Sequence, residues 1–91
     1  MRVHFKPAFL RDFQELPPDV RREVRLVCVE TFPHLNNLRD LQTHSIKPLK
    51  GFRGYYRIRL GNYRIGFRMD DGTVIFMRVL DRRDIYRHFP G

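Results

Sequence analysis

Apolar side chains recur at helical spacing near the start of the chain. After a short apolar stretch typical of a strand, Val3 to Phe5, the residues Phe9, Phe13 and Leu16 follow at intervals that place them on one face of a helix. Leu10 widens this apolar stripe. The pattern predicts a short first strand followed by an amphipathic helix.

Prolines mark the boundaries of two consecutive helices. Pro7 suits the first turn of the first helix, the pair Pro17-Pro18 ends it, and Pro18 can begin the second. Pro33 is expected to end that second helix. One side of the second helix carries Val20, Val24, Val27 and Thr31, and another carries Arg21, Arg22 and Arg25. The simplest arrangement of the two helices is a helical hairpin.

The stretch from residue 34 to residue 51 is less periodic. Asn36 or Asn37 can cap a further helical turn within "NNLRDLQ". The segment "IKPLKG" reads as extended chain that Pro48 and Gly51 interrupt.

Three strands are expected in the second half, over residues 55–60, 63–69 and 73–80, where the side chains alternate or run apolar. Gly61-Asn62 is a two-residue hairpin signal with glycine first, as a type II′ turn requires, and Asp70-Asp71-Gly72 makes the next turn. We therefore expect one α+β domain over residues 1–91, with the helices packed on one face of an antiparallel sheet.

The two-residue turn fixes which residues of the hairpin lie opposite each other. The expected pairs are Leu60 with Tyr63, Arg59 with Arg64, Ile58 with Ile65, Arg57 with Gly66, and Tyr56 with Phe67. The apolar side chains then share one face, and the other face carries Tyr55, Arg57, Arg59, Arg64 and Arg68. Like charges directly opposite each other destabilise a sheet by about 0.2–1 kcal/mol. An anion between Arg59 and Arg64 would offset this repulsion, and the planar guanidinium fork matches a phosphate.

Two further features of this face favour a ligand. Gly66 has no side chain opposite Arg57, which leaves room for a ligand to approach the backbone, and Tyr55 offers a ring on which a base can stack. The alternative is a solvated face in an arginine-rich protein, since fifteen of the eighteen basic residues are arginine.

The formal net charge of +8 is unevenly distributed. Residues 1–46 hold seven Lys or Arg against six acidic residues, whereas residues 47–91 hold eleven against four. This asymmetry predicts a polyanionic partner, either nucleic acid, an anionic membrane surface or an acidic protein. Basic residues also border the hairpin, with Lys47, Lys50 and Arg53 before it and Arg82, Arg83, Arg87 and His88 after it. At helical spacing Arg82 and Tyr86 would share one face. The direction of Arg78 stays open, because a period of two places it on the same strand face as the apolar residues Val74 and Phe76.

The cysteine and histidine content narrows the chemistry. Cys28 is the single cysteine, which excludes an internal disulfide, fits a reducing cytoplasm, and is expected to lie in the core. The four histidines are scattered and show no metal-ligand spacing, and the pair Asp70-Asp71 reads as a turn. No apolar run approaches a signal peptide or the roughly 20 residues of a membrane span.

Two segments together resemble the RelE/ParE superfamily of bacterial toxins from type II toxin–antitoxin systems. They are "KPLKGFRGYYRIRLGNYRIGFR" and "MRVLDRRDIY", and the resemblance extends over "KPAFLRDFQELPPDVRREV" to nearly the whole chain. It implies a short strand, a helical hairpin, a curved antiparallel sheet and a short C-terminal helix or turn. RelE-type members are metal-free endoribonucleases that cut mRNA in the ribosomal A site by attack of the 2′-OH on the adjacent phosphate. ParE-type members act on DNA gyrase, so the fold alone does not decide the function.

The resemblance also implies roles for individual residues. Arg57 and Arg59 match two basic positions, lysines in the RelE type, that help to activate the 2′-OH. Arg64 matches the arginine that contacts the scissile phosphate, Arg82 matches the arginine after the last strand, and Tyr86 matches the tyrosine that stacks on or orients the substrate base. Tyr86 could instead pack on the sheet edge. The wider set expected to bind RNA is Lys47, Lys50, Arg53, Tyr55, Arg68, Arg83 and His88.

Arginine in place of lysine changes the expected proton transfer. An arginine with a pKa of about 12.5 or more is a poor base at neutral pH, although it can stabilise the charge of the transition state. A proton acceptor must then come from His88, Lys47, Lys50 or water. The resemblance implies no cofactor and a cognate antitoxin as partner, with mRNA and the ribosome as targets. The alternatives are a gyrase inhibitor and a non-catalytic relic that binds RNA or antitoxin.

Overall fold

The structure is a computed structural model that describes residues Met1–Pro90. Its strands and α-helices are β1 (Arg2–Phe5), α1 (Pro7–Gln14), α2 (Pro18–Arg25), β2 (Ile46–Pro48), β3 (Tyr55–Leu60), β4 (Tyr63–Asp70), β5 (Thr73–Asp81) and α3 (Ile85–His88). The predicted α+β class and the helical hairpin are confirmed. Among these helices, none is long and apolar enough to cross a lipid bilayer.

The second helix continues beyond α2 in other helical forms. Residues Leu26–Thr31 form a π-helical segment and Phe32–His34 a 3₁₀ turn. Pro33 therefore lies inside the last helical turn, and the helical structure ends at His34, one residue beyond the predicted boundary. Proline has no N–H for an α-helical bond to the preceding turn, and the chain tightens to 3₁₀ geometry where that bond is missing. Asn37 begins a second 3₁₀ turn, as predicted, with its backbone N–H donating to Asp40 Oδ2 at 3.2 Å.

The five strands form one sheet in the order β1-β5-β4-β3-β2. β2, β3, β4 and β5 pair antiparallel with their neighbours, but β1 runs parallel to β5. The sheet is thus mixed rather than wholly antiparallel as the sequence suggested. A parallel neighbour needs a long connection, and the helical hairpin together with β2–β4 separates these two strands along the chain.

The β3–β4 hairpin has the predicted register, and all five expected pairs are observed. Gly61 has φ of +58° and Asn62 has no positive φ, as a type II′ turn requires. The next turn is shorter than expected. Asp71 and Gly72 both have positive φ, which is the two-residue type I′ pattern, and Asp70 belongs to β4.

The helices cover one face of the sheet and enclose the core. Phe32 contacts Phe67 and Phe76 edge to face, with ring centroids 5.6 and 5.1 Å apart. Cys28 is fully buried among these apolar side chains, as predicted. Leu10 is 49% exposed, so its predicted place in the apolar stripe was wrong. The helix buries Phe9 against the sheet, and the next residue projects about 100° further around the axis, where no element covers it.

A β-bulge in β5 settles the direction of Arg78. Gly66 pairs with Arg78 and Phe67 with Phe76, so Met77 is an extra residue and the alternation shifts by one. Arg78 then reaches α1, where its Nε and Nη2 donate to the two carboxylate oxygens of Asp12 at 2.7 and 2.9 Å. This hydrogen bonding raises the pKa of Arg78. Arg78 is therefore neutralised by Asp12.

The C-terminal segment covers part of the opposite face of the sheet. Ile85 and Phe89 are 1% and 5% exposed, yet neither belongs to the core beneath the helices. They form a second, smaller apolar contact, and the Phe89 ring lies 5.9 Å from that of Tyr55. α3 is thereby anchored on the basic face of the sheet.

Candidate functional site

Three strands bring four cationic side chains together on the face opposite the core. Lys47 of β2 pairs with Arg57 of β3, and Arg59 of β3 pairs with Arg64 of β4. Arg57 and Arg59 are two residues apart and so share this face. With Ser45 and Tyr86, these four side chains line a cavity of about 160 Å³. No carboxylate lines this cavity, which we call the phosphate cavity.

Two backbone oxygens of the β3–β4 turn hold the guanidinium of Arg64 in place. Its Nη1 donates to the backbone oxygens of Gly61 and Tyr63 at 2.7 and 2.8 Å. Partial burial lowers the pKa of Arg64, and the positive charges of Arg59 and other nearby arginines lower it further. Arginine stays protonated at neutral pH despite such a shift, so the repulsion is unrelieved in the free protein. The cavity is therefore suited to an anion with several oxygens.

Tyr86 stands at the rim of the phosphate cavity. Its neighbour Ile85 is buried, whereas Tyr86 itself is 65% exposed. The Cζ of Arg57 lies 4.9 Å from the centroid of the Tyr86 ring, a cation–π distance. The ring is thus oriented by a cavity residue and still presents surface to a ligand.

Arg82 reaches the site by a different route from the one expected. It was predicted to share a helix face with Tyr86, but α3 begins at Ile85 and Arg82 lies in the turn before it. Its backbone N–H donates to the oxygen of Asn62 at 2.8 Å, beside the β3–β4 turn. From there its charge contributes to lowering the pKa of Arg64. Arg82 therefore flanks the phosphate cavity without lining it.

The structure separates the remaining candidate RNA-binding residues. Lys47 lines the phosphate cavity, and Lys50 lines an adjacent groove. Arg53 is exposed in the turn between β2 and β3. Arg68 Nη1 lies 3.5 Å from Asp70 Oδ2, and Arg83 Nε lies 3.1 Å from Asp81 Oδ1.

Tyr55 and His88 also lie outside the lining of the phosphate cavity. The Tyr55 ring packs between Phe52 and Phe89, with centroid distances of 6.4 and 5.9 Å. His88 lines another cavity, next to Lys6 and Arg11. The side chains considered as proton acceptors were His88, Lys47 and Lys50. Of these three, Lys47 lines the phosphate cavity.

The space predicted at Gly66 is filled by the chain itself. A Cβ atom on Gly66 would lie 2.6 Å from Cδ2 of Phe89. The interpretation that a ligand approaches the backbone here was therefore wrong, because the C-terminal segment occupies the position.

The sequence reasoning missed Ser45, Ile85 and Phe89. Ser45 lies two residues before Lys47 on the same side of the chain. The pairing of β2 with β3 brings both residues to the phosphate cavity. Ile85 and Phe89 are four residues apart, an apolar spacing that predicts one buried helix face. Within residues 1–90, no three His, Cys, Asp or Glu side chains come close enough to hold a metal ion.

Comparisons with known proteins agree with this architecture. Residues 3–86 match the family model described as the ParE toxin of the type II toxin–antitoxin system parDE. Toxin RelE3 of Methanocaldococcus jannaschii is 43% identical over 90 residues, which span 99% of this chain and 100% of that protein. The crystal structure of the RelB-RelE antitoxin-toxin complex from Methanococcus jannaschii aligns with a TM-score of 0.82 and 39% identity, covering 96% of this chain and 99% of the other. The toxin–antitoxin complex RelBE2 from Mycobacterium tuberculosis aligns with a TM-score of 0.68 and 30% identity, covering 89% and 96%.

Proposed function

The chain belongs to the RelE/ParE superfamily and is a toxin of a type II toxin–antitoxin system, and we propose that it is an endoribonuclease that cleaves mRNA on the ribosome. The observation that carries this proposal is the phosphate cavity. Four cations surround a space that no carboxylate lines, and an exposed tyrosine ring stands at its rim. Phosphate and nucleobase are the two groups that such an arrangement recognises.

In this proposal Arg64 and Arg59 bind the scissile phosphate from two sides. Their positions are fixed by the β3–β4 register, and Arg64 is further held by the two backbone oxygens of the turn. The charge on the phosphate grows as the 2′-oxygen adds to it. Donors that are already oriented toward that charge stabilise the transition state more than the ground state. Arg57 orients the Tyr86 ring through its cation–π contact with that ring.

The reaction is an internal transfer at one phosphorus atom. The 2′-oxygen forms a bond to phosphorus while the bond from phosphorus to the 5′-oxygen breaks, giving a 2′,3′-cyclic phosphate and a 5′-OH. One proton leaves the 2′-OH and one joins the 5′-oxygen, so the overall step needs no further reactant. Arginine cannot accept the first proton at neutral pH, which leaves Lys47 and water as acceptors within the cavity.

We also propose that a cognate antitoxin covers the basic face. The two solved relatives described above are antitoxin-toxin complexes, and this face carries charge that an acidic segment would complement. The antitoxin would occupy the phosphate positions or displace α3 with Tyr86. Co-purification with the product of the adjacent reading frame, followed by hydrogen exchange, tests this. Protection of residues 55–68 or 82–88 is expected, and a neighbour that binds without neutralising toxicity would contradict the proposal.

Inhibition of DNA gyrase is a second candidate, because the matching family model is that of the ParE toxin. The four-cation cavity does not favour it, since binding a protein target would not require phosphate-sized space between arginines. Expression of the chain with translation, replication and mRNA 5′ ends followed together separates the two. A ribonuclease arrests protein synthesis and creates new 5′-OH ends within coding sequence, whereas a gyrase inhibitor arrests replication and damages DNA.

The decisive variant is Arg64→Ala, with Arg22→Ala as its control. Arg22 is an exposed arginine of α2, outside the phosphate cavity. We expect Arg64→Ala to fold and to lose mRNA cleavage, because it removes a charge that contacts the reacting phosphate. A folded Arg64→Ala chain that cleaves as well as the parent would refute the assignment.

A further inference from the structure

The β3–β4 turn offers three consecutive backbone oxygens to the arginines of the site. The oxygens of Gly61 and Tyr63 accept from Arg64 Nη1 at 2.7 and 2.8 Å. The oxygen of Asn62 accepts from the backbone N–H of Arg82 at 2.8 Å. We propose that Gly61 and Asn62 are positioning residues, because the type II′ geometry of their turn holds Arg64 in the orientation that binds the phosphate. This inference rests on the proposed function and adds two uncharged residues to its site.

The contact with the turn leaves one edge of the Arg64 guanidinium available. Both hydrogen bonds use Nη1, and neither Nε nor Nη2 of Arg64 makes a hydrogen bond within residues 1–90. Nε and Nη2 carry the parallel N–H pair with which a guanidinium holds a phosphate. One nitrogen is thus fixed to the turn while the other two can bind the ligand.

Without these oxygens, the neighbouring charges would drive Arg64 out of the site. Arg64 lies directly opposite Arg59, and the charges of Arg59, Arg57 and Arg82 together with partial burial lower the pKa of Arg64. Such repulsion favours side-chain conformations that carry the guanidinium into solvent. The partial negative charges of the two oxygens, 2.7 and 2.8 Å from Nη1, oppose this movement.

The direction of the Gly61 oxygen depends on the turn type. Gly61 has a φ of +58° and Asn62 has no positive φ, which is the type II′ pattern. A type I′ turn also joins two strands through two residues, but it differs by about 150° in ψ of the first residue and about 170° in φ of the second. The peptide group between the two residues is therefore turned over, and in a type I′ turn the Gly61 oxygen would point away from Arg64. The oxygens of Asn62 and Tyr63 belong to later peptide groups and would keep their directions.

Exchanging the two turn residues tests the proposal without weakening the hairpin. Asn-Gly is the sequence that favours type I′, so Gly61→Asn combined with Asn62→Gly keeps the loop length, the strand register and the composition of the chain. The free energy of unfolding is expected to stay level or rise. The rate of mRNA cleavage at saturating toxin is expected to fall about 10-fold, as for the loss of one hydrogen bond to a charged group. An exchanged variant that folds and cleaves at the parent rate would overturn the proposal.

Alanine at residue 61 separates turn geometry from stability. L-alanine is strained at a φ of +58°, whereas its mirror image, D-alanine, adopts this φ readily. Gly61→Ala should lower both the free energy of unfolding and the cleavage rate, and the same substitution made with D-alanine by chemical synthesis should restore both. Gly72→Ala is the matched control, because Gly72 has a φ of +80° in the β4–β5 turn and does not line the phosphate cavity. It should lose similar stability and keep the parent rate, and a rate that falls as far as in Gly61→Ala would show that Gly61 acts through stability alone.

Inorganic phosphate provides a measurement that does not depend on cleavage. The Nε–Hε signal of Arg64 is followed by NMR while phosphate is added to the isotope-labelled full chain. The parent and Gly72→Ala are expected to bind phosphate equally, and the exchanged variant about 10-fold more weakly. This result in a chain that cuts no mRNA would retain the positioning role of the turn and refute the nuclease. A parent that cuts mRNA, with an exchanged variant that binds phosphate and cleaves equally well, would retain the nuclease and refute the role of the turn.

Discussion

The ring of Phe89 lies directly over Gly66, so closely that a methyl group on residue 66 would come within 2.6–2.7 Å of three ring atoms. Gly66 is in the middle of β4, and Phe89 follows α3 at the end of the described chain. The absence of a side chain at residue 66 is what allows the C-terminal segment to reach the sheet. Because α3 also carries Tyr86, this contact helps to set the position of the ring at the rim of the phosphate cavity.

The contact predicts that Gly66→Ala and Phe89→Ala are coupled. Gly66 lacks a positive φ, so alanine is not strained by the backbone and should destabilise through the clash alone, by about 1–3 kcal/mol. In a chain that already carries Phe89→Ala, the same substitution should cost almost nothing. Denaturant unfolding of the parent, both single variants and the double variant measures the coupling. Additive changes in the free energy of unfolding would show that the ring does not occupy this position in solution. Phe89→Ala and the double variant should both be less toxic than the parent, since both lose the side chain that anchors α3 on the sheet.

The Arg59–Arg64 pair predicts opposite effects on stability and activity. Arg59→Thr removes a like-charge repulsion, so the free energy of unfolding should stay level or rise by about 0.2–1 kcal/mol, while mRNA cleavage falls. Arg68→Thr on the same sheet face is the stability control, because Arg68 has an acidic neighbour, Asp70, rather than a facing arginine. A clear loss of stability in Arg59→Thr, without any such loss in Arg68→Thr, would mean that Arg59 makes a stabilising contact within the folded chain and is not there to bind an anion.

Binding to RNA should weaken steeply as salt increases, and two lysines should account for part of the slope. Lys47 lies in the phosphate cavity, and Lys50 lines the adjacent groove. Replacing both by alanine should flatten the plot of log affinity against log salt by about 1.4, since each phosphate contact to a single strand contributes about 0.7. Lys6 is the one other lysine of the chain, and Lys6→Ala is the matched control, which should leave the slope unchanged. An unchanged slope in the double variant would place the phosphate contacts elsewhere.

Cys28 predicts a specific dependence of stability on alkaline pH. Burial raises the pKa of its thiol well above the ordinary value, so the folded chain keeps the thiol neutral while the unfolded chain ionises near pH 8.5. Because the folded pKa is raised, this contribution to stability is complete below pH 8.5 and is lost as pH rises above it. The loss should approach about 1.4 kcal/mol per pH unit. Unfolding of the parent and of Cys28→Ala between pH 7 and 10 measures it. Curves that stay parallel would show that the thiol is not buried in solution.

Local sequence determined the parts of this protein that depend on neighbouring residues. The proline pair separates the two helices because proline cannot continue the first and is preorganised to begin the second. Gly61-Asn62 fixes the β3–β4 register, and a period of two then places Arg57, Arg59 and Arg64 on one face. Three of the four cations of the phosphate cavity could therefore be placed together from the sequence alone.

Tertiary structure decided whatever depends on segments far apart in the chain. Lys47 joins the cavity because β2 adds to the edge of β3, and Phe89 fills the space at Gly66 because α3 folds back onto the sheet. Arg78 leaves the core face that Phe76 occupies because one extra residue in β5 shifts the alternation, and α1 brings Asp12 within 2.7 Å of it. A local pattern states which way a side chain points relative to its own strand. Which neighbour it meets is decided by the packing of distant segments, where burial and hydrogen bonding outweigh the preference of any single stretch.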